Sequence, residues 1–306
     1  MMMKIGVESL IASTPEEIID GYRLLKEWGF DAADAGIYAP LTAGEISKKV
    51  VNEALCGSDR DVLKIFEPWK KGAETYGVEN YQAHAIYPTY SMDGGDAAYN
   101  EYLMTVLKKQ LMACDYIGCR NLIIHPAFCD YEHRMDPDAE WQLNIDRYSQ
   151  LIPQAKKYGV TICLENMFIS RRGKLHSACC SDAQTACRYV DTLNDIAGEK
   201  RFGFCVDTGH LLLLGLQMKP FITALGDRIT AFHVHDNNGV TDQHLAPYMG
   251  ILDWDDFVDA LRAIRYDGTM CFETSNIWKA YDHELCPDVM RLIAKTGRMF
   301  AERAQK

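Results

Sequence analysis

Residues 203–210 read Gly-Phe-Cys-Val-Asp-Thr-Gly-His, an unbroken apolar run that stops at a carboxylate and then at a turn. A short continuous apolar run is what a strand covered on both faces needs, as in a parallel sheet. The same kind of run recurs on both sides of it. Strands are predicted at Lys4–Glu8, Asp31–Ala35, Tyr81–Ile86, Asn121–His125, Thr161–Glu165, Gly203–Asp207, Ala231–His235 and Met270–Glu273. Asp31 and Asp34 interrupt the second of these, which makes it the least regular. Between the runs lie longer amphipathic segments.

Several of these segments carry helix start and stop signals. Thr14-Pro15-Glu16-Glu17 is a capping box with proline at the first helical position. Ser181-Asp182-Ala183-Gln184 repeats the box, and Asp253 is placed to cap a helix running through Leu261. Gly29, Gly77, Gly118, Gly159 and Gly268 precede the next strand, where a helix needs a left-handed terminator. Leu41–Val62 reads as a loop-plus-helix insertion. Eight strand–helix repeats with no linker rich in Pro, Gly or Ser predict one α/β domain over residues 1–306. That domain is a parallel eight-stranded (β/α)₈ barrel. A doubly wound open sheet fits less well, because no Gly-rich dinucleotide loop follows an early strand.

Composition narrows the function. Hydrophobic residues make up 48% of the 306, too many for a disordered chain. The net charge of -11 opposes a binder of nucleic-acid backbone, which needs basic groups against phosphates. The 11 cysteines are odd in number and lack a CxxC pair, and Cys163, Cys205 and Cys271 sit inside apolar runs. They read as reduced thiols of a soluble, cytoplasmic protein. The start MMMKIGVESLIAS has no basic segment followed by a long apolar run, and Leu211–Leu216 is too short to span a bilayer. No membrane association is expected.

The chemistry gathers at strand C-terminal ends. His84, His125, Glu165, Asp207, His233 and Glu273 each end, or nearly end, one of the third to eighth predicted strands. In a parallel barrel these ends surround one mouth, where barrel enzymes carry their sites. A lone histidine at a strand end is most often a hydrogen-bonded wall residue, and a lone glutamate is as often salt-bridged as ligating. Six such residues on consecutive strands are another matter. Carboxylates are costly to desolvate there unless paired or metal-bound, so a divalent cation is the natural partner. Arg171, with Arg172 and Lys174, is placed to hold a phosphate or carboxylate, or else is a solvated basic loop. Tyr38, Tyr87 and Phe128 lie beyond strand ends as a candidate aromatic substrate-binding wall.

The motifs LENM (164–167), VDTGH (206–210), HVHDNNG (233–239), DQHLAPYMGILDW (242–254) and FETS (272–275) resemble those of the xylose isomerase-like barrel superfamily. Its members include sugar isomerases, epimerases, dehydratases and an apurinic endonuclease branch. The resemblance implies one divalent metal, with Mn²⁺ favoured and Mg²⁺, Co²⁺ or Zn²⁺ alternatives, held by Glu165, Asp207, His233 and Glu273. It implies Glu165 and Glu273 as the proton-transfer pair, with His125 as an extra group. Substrate contacts fall to His84, His210, His235, Asp242, His244 and Arg171. The implied partner is a small-molecule sugar, and a homo-oligomer or partner subunit stays open.

The implied activity is a metal-dependent sugar, sugar-phosphate or oxo-sugar isomerase or epimerase that removes a proton next to a carbonyl. A lyase or dehydratase eliminating from 3-oxo-sugars or oxo-glycosides, including C-glycosides, would begin at the same proton. A trinuclear-zinc phosphodiesterase on abasic DNA is the third reading, since His84, His125 and Asp242-Gln243-His244 fill its ligand pattern. Where the sugar branch has Gly-Glu-Gly after His244, this chain has Tyr248-Met249-Gly250. The identity of the sugar does not transfer across that departure.

Overall fold

The computed structural model describes residues 3–9, 14–91, 96–127 and 135–306. Eight parallel strands form the central sheet: β1 (Lys4–Glu8), β2 (Ala32–Ala35), β3 (Glu79–His84), β4 (Asn121–Ile123), β5 (Thr161–Glu165), β8 (Phe202–Asp207), β9 (Ile229–His233) and β10 (Thr269–Phe272). A separate antiparallel hairpin, β6 (Phe168–Arg171) and β7 (Lys174–Ser177), rises from the end of β5. The hydrogen-bonded order β10-β1-β2-β3-β4-β5-β8-β9 brings the last two strands of the chain to opposite edges. A parallel bridge between Val234 and Phe272 joins those edges. The Val234 N–H donates to Cys271 O at 2.8 Å and the Glu273 N–H to Val234 O at 3.1 Å. The sheet is therefore a barrel, with helices around it.

Cysteines fill the barrel interior as small apolar residues. Cys163 and Cys205 pack with Ile123 and Ala231, and all four are fully buried. The ten cysteines among the described residues are free. The outer layer is a continuous apolar core between strands and helices, including Ile5, Leu25, Phe66, Leu111, Phe204, Phe257 and Phe300. No helix of the described residues is long and apolar enough to cross a membrane.

Local signals place most helix ends. Thr14 caps the helix Pro15–Trp28 through a capping box with Glu17, and Gly29 ends it at φ 97°. Gly77, Gly118 and Gly159 also take positive φ. Gly268 does not; Arg265, at φ 53°, ends the helix Trp254–Ile264 that Asp253 caps. The box expected at Ser181 shifts by one residue. Asp182 is the cap and accepts from the Thr185 N–H, because a carboxylate is available one residue nearer the helix. The insertion at 41–62 holds a short helix, Ala43–Ser47, and a 3₁₀ turn, Glu53–Cys56. Phe128 lies outside the described residues.

Candidate metal centre and substrate cavity

The strand ends converge as the barrel requires. His84 closes β3, Glu165 β5, Asp207 β8 and His233 β9, while His125 and Glu273 stand just past β4 and β10. Around Nδ1 of His233 lie Glu273 Oε2 at 3.4 Å, Glu165 Oε1 at 3.5 Å and Asp207 Oδ2 at 4.0 Å. Two atoms bonded to one ion at about 2.0–2.2 Å stand roughly 3–4 Å apart, so this spacing fits a shared cation.

The other face of the His233 ring fixes its tautomer. Nε2 donates to Asp34 Oδ2 at 2.9 Å, and Asp34 is held in turn by the Gln82 amide at 2.7 Å. In the neutral ring Nδ1 then carries a lone pair, and this buried atom has no hydrogen-bond partner. An acceptor facing three carboxylates is repelled by all of them unless a proton or a metal ion stands between. Asp242 Oδ1 and His244 Nδ1 are further buried polar atoms without hydrogen bonds. The donor set and its unsatisfied atoms fit a divalent cation.

Protonation supplies the positive charge when no cation is considered. Burial opposes ionisation throughout, and the neighbours outweigh it. Asp207, Asp242 and Glu165 push His210 up to about 10, while Glu273 and Asp242 do the same for His244. The imidazoles in turn hold Glu165, Asp207 and Asp242 well below the usual carboxylate range. Glu8 behaves oppositely. Burial, reinforced by Glu273, pushes it up to about 8, so it is a neutral acid below that pH.

His84 and His125 form a second group. Burial, then the neighbouring His125 and His233, push His84 down to about 4, so its ring is neutral. Its Nδ1 donates to Ala85 O at 2.7 Å, leaving Nε2 as an acceptor 3.1 Å from His125 Nε2. Glu165 Oε2 is also 3.1 Å from His125 Nε2. A nitrogen between two acceptors carries hydrogen, so His125 is a proton donor in this arrangement.

The substrate-contact expectations divide. His84, His210, Asp242 and His244 line a cavity of about 820 Å³ with Glu165, Glu273 and His125. His210 Nε2 stands 3.6 Å and His244 Nε2 3.0 Å from Asp242 Oδ2. His235 is not among the lining residues. It is fully buried, with Nε2 3.1 Å from Asp207 and its ring stacked on His244 at 4.2 Å. The glycine of VDTGH makes room for it, since a Cβ on Gly209 would lie 1.9 Å from its Cε1. Arg171 also misses the lining. It pairs with Lys174 beside the two-residue hairpin turn Arg172-Gly173, and only the earlier hairpin residues Phe168, Ile169 and Ser170 reach the cavity. Tyr38 and Tyr87 do line it, 5.4 Å apart and edge-on.

Asp34 and Glu8 were not expected in the site. A buried acid on a strand reads as an interruption when taken alone. The usable signal was position, since both lie at or near the C-terminal end of a barrel strand, like the residues that were found. His244 is also notable for its backbone, at φ 47°, a left-handed conformation that costs a non-glycine residue about 1 kcal/mol or more.

Comparison with known proteins agrees with this fold. Residues 22–294 match the family model described as xylose isomerase-like TIM barrel. Two curated relatives are uncharacterized. One, y4fM of Sinorhizobium fredii (strain NBRC 101917 / NGR234), is 42% identical over 72 residues, 24% of this chain and 23% of that protein. The other, MJ1311 of Methanocaldococcus jannaschii, is 31% identical over 136 residues, 44% of this chain and 43% of that protein. The chain thus spans less than half the length of these relatives. Among solved structures, an L-ribulose 3-epimerase superposes with TM-score 0.71 at 17% identity, covering 99% of this chain and 96% of that one. A D-tagatose 3-epimerase-like protein gives 0.66 at 20% identity over 96% and 99%, and the E. coli 3-keto-D-glucoside 4-epimerase 0.68 at 17% over 96% and 99%. At these identities the likeness is one of fold.

Proposed function

This chain belongs to the xylose isomerase-like TIM-barrel family, and from that premise we propose that it is a divalent-metal-dependent sugar isomerase or epimerase, residues 1–306 acting as one barrel domain. The observation that carries the metal is His233 Nδ1, buried, without a hydrogen-bond partner and facing Glu165, Asp207 and Glu273. The names of the structural neighbours supply the sugar class. When bound, the cation would polarise a substrate carbonyl and so acidify the adjacent C–H.

The protein's own groups do the rest. Glu165, Asp207, His233 and Glu273 hold the ion, with Asp34 keeping His233 in the ligating tautomer and His235 orienting Asp207. Glu165 and Glu273 are the proton-transfer pair. His125 Nε2, 3.1 Å from both Glu165 and the neutral His84, is placed to relay a proton to or from the Glu165 carboxylate. His210, Asp242 and His244 line up substrate hydroxyls. An elimination would begin with the same proton removal.

The test is solvent-deuterium incorporation next to the carbonyl across a panel of ketoses and oxo-sugars. Exchange is expected with a divalent metal and not after chelation. Loss of metal should also lower the melting temperature by about 5 °C, from roughly 2.7 kcal/mol at 100-fold metal excess over Kd. No exchange with any panel member would sink the assignment. A second reading rests on the His84–His125–Glu165 cluster, which together with Glu165–Asp207–His210 resembles room for more than one ion. Three zinc ions per chain with cleavage of abasic DNA would favour a phosphodiesterase; one ion per chain is expected.

A further inference from the structure

The cavity is larger than a free sugar needs. Its volume is about 820 Å³. Pockets for drug-sized ligands run from about 300 to 1,000 Å³, and a hexose of about 12 non-hydrogen atoms belongs at the low end. The space is also divided in kind. Glu165, His210, Asp242, His244 and Glu273 make up one side. Among the rest of the described lining, the segments after β2, β3 and β5 present Ile46, Tyr90, Met167, Phe168 and Ile169, with three serines and a threonine between them. The two meet at Phe168, whose ring stands edge-on to His210 with centroids 4.9 Å apart.

Charge separates the possible substituents. Among the described lining residues Lys49 is the one Lys or Arg, and its Nζ lies 2.7 Å from Asp96. A phosphate recognised here would need a guanidinium or ammonium not already neutralised. The wall beyond the polar cluster instead matches an uncharged group that loses water favourably.

We infer that the substrate is a sugar bearing an uncharged apolar or aromatic substituent, a glycoside in the broad sense, rather than a free or phosphorylated monosaccharide. Its ring sits at the polar cluster and its substituent lies against Ile46, Tyr90, Phe168 and Ile169. This rests on the sugar chemistry proposed above and deepens it.

The experiment uses the full chain loaded with Mn²⁺. Binding of 4-nitrophenyl β-D-glucopyranoside, D-glucose and D-glucose 6-phosphate is measured by titration calorimetry. Burying a Phe-sized ring is worth about 1.5–3 kcal/mol, which at about 1.4 kcal/mol per decade sets the expected preference for the aryl glycoside at tenfold or more. Ile169→Asp and, separately, Tyr90→Ser should each shrink that preference to below about threefold, with melting temperatures followed to confirm folding. Equal binding of glucose, tighter binding of the phosphate, or a preference unmoved in both folded variants overturns the inference.

Deuterium wash-in with 4-nitrophenyl 3-oxo-β-D-glucopyranoside and with free 3-oxo-glucose separates the two levels. Exchange of both at similar efficiency keeps the sugar chemistry and removes the apolar subsite. A binding preference without exchange of either probe keeps the subsite and removes the chemistry.

Discussion

The floor of the cavity and its outer wall are built by opposite means. On the floor, Glu165, Asp207 and His233 end strands whose neighbours are hydrogen-bonded on both sides, and the last two side chains are held again by a buried partner. Asp34 fixes His233, His235 fixes Asp207, and Gly209 exists in the form that lets His235 approach. The wall is a hairpin and two connecting segments, half-buried, with apolar side chains. The hairpin strands pair with each other and not with the barrel. If the proposed function holds, the difference means that the chemistry is placed by rigid, long-range scaffolding, while substrate selection is left to segments that can change without disturbing the barrel.

The largest effect expected on the floor is from Glu165→Gln and Glu273→Gln. An amide is a weaker ligand and cannot take up a proton, so exchange should fall by roughly 10²–10⁴ with metal restored. The melting temperature should stay near wild type, because barrel stability comes from the packed layers. Exchange at wild-type rates in both variants would reduce the glutamates to scaffolding and pass the proton to His125 or His210.

Asp34→Asn tests the support beneath the floor. It removes the charge that keeps hydrogen on His233 Nε2, and metal affinity should drop about 10–100-fold in competition with a fluorescent chelator. Unchanged affinity would mean that the His233 tautomer is set elsewhere.

The fourth and fifth substitutions form a pair, one glycine from each region. Gly209→Ala places a methyl against the buried His235 ring, which has no free space to move into, and should cost about 1–3 kcal/mol in denaturant unfolding. Gly173→Ala, at φ 72° in the hairpin turn with nothing within 4 Å of the added carbon, meets only backbone strain of about 1 kcal/mol. If the hairpin substitution proved the more damaging, the distinction between rigid floor and replaceable wall would fail.

Legibility followed the range of the interaction. The strands at Lys4–Glu8 and Thr161–Glu165 were readable to the residue, because an apolar run ending in a polar group is a local pattern. The strands at Tyr81–Ile86 and Ala231–His235 start two residues earlier than the run suggests, at Glu79 and Ile229. Their first residues are polar or isolated, and only pairing with a neighbour recruits them. Arg171, Arg172 and Lys174, which read as an anion-holding group or a solvated basic loop, instead surround the turn of a hairpin over 168–177. Its Arg172-Gly173 turn, flanked by alternating residues, was a usable signal, obscured by the charge around it.

By itself the sequence determined the barrel class, the eight strand–helix units and the ring of ligand-type residues at strand ends, since each follows from residue order within one element. Tertiary structure alone decided that Asp34, a blemish in its own strand, is the partner of His233 199 positions away. It likewise decided that His235 turns behind Asp207 while His210 faces the cavity, and that Arg171 stands at a hairpin turn outside the lining. Which way a polar side chain points depends on what is packed against it, and a barrel brings those neighbours from strands that no local window contains.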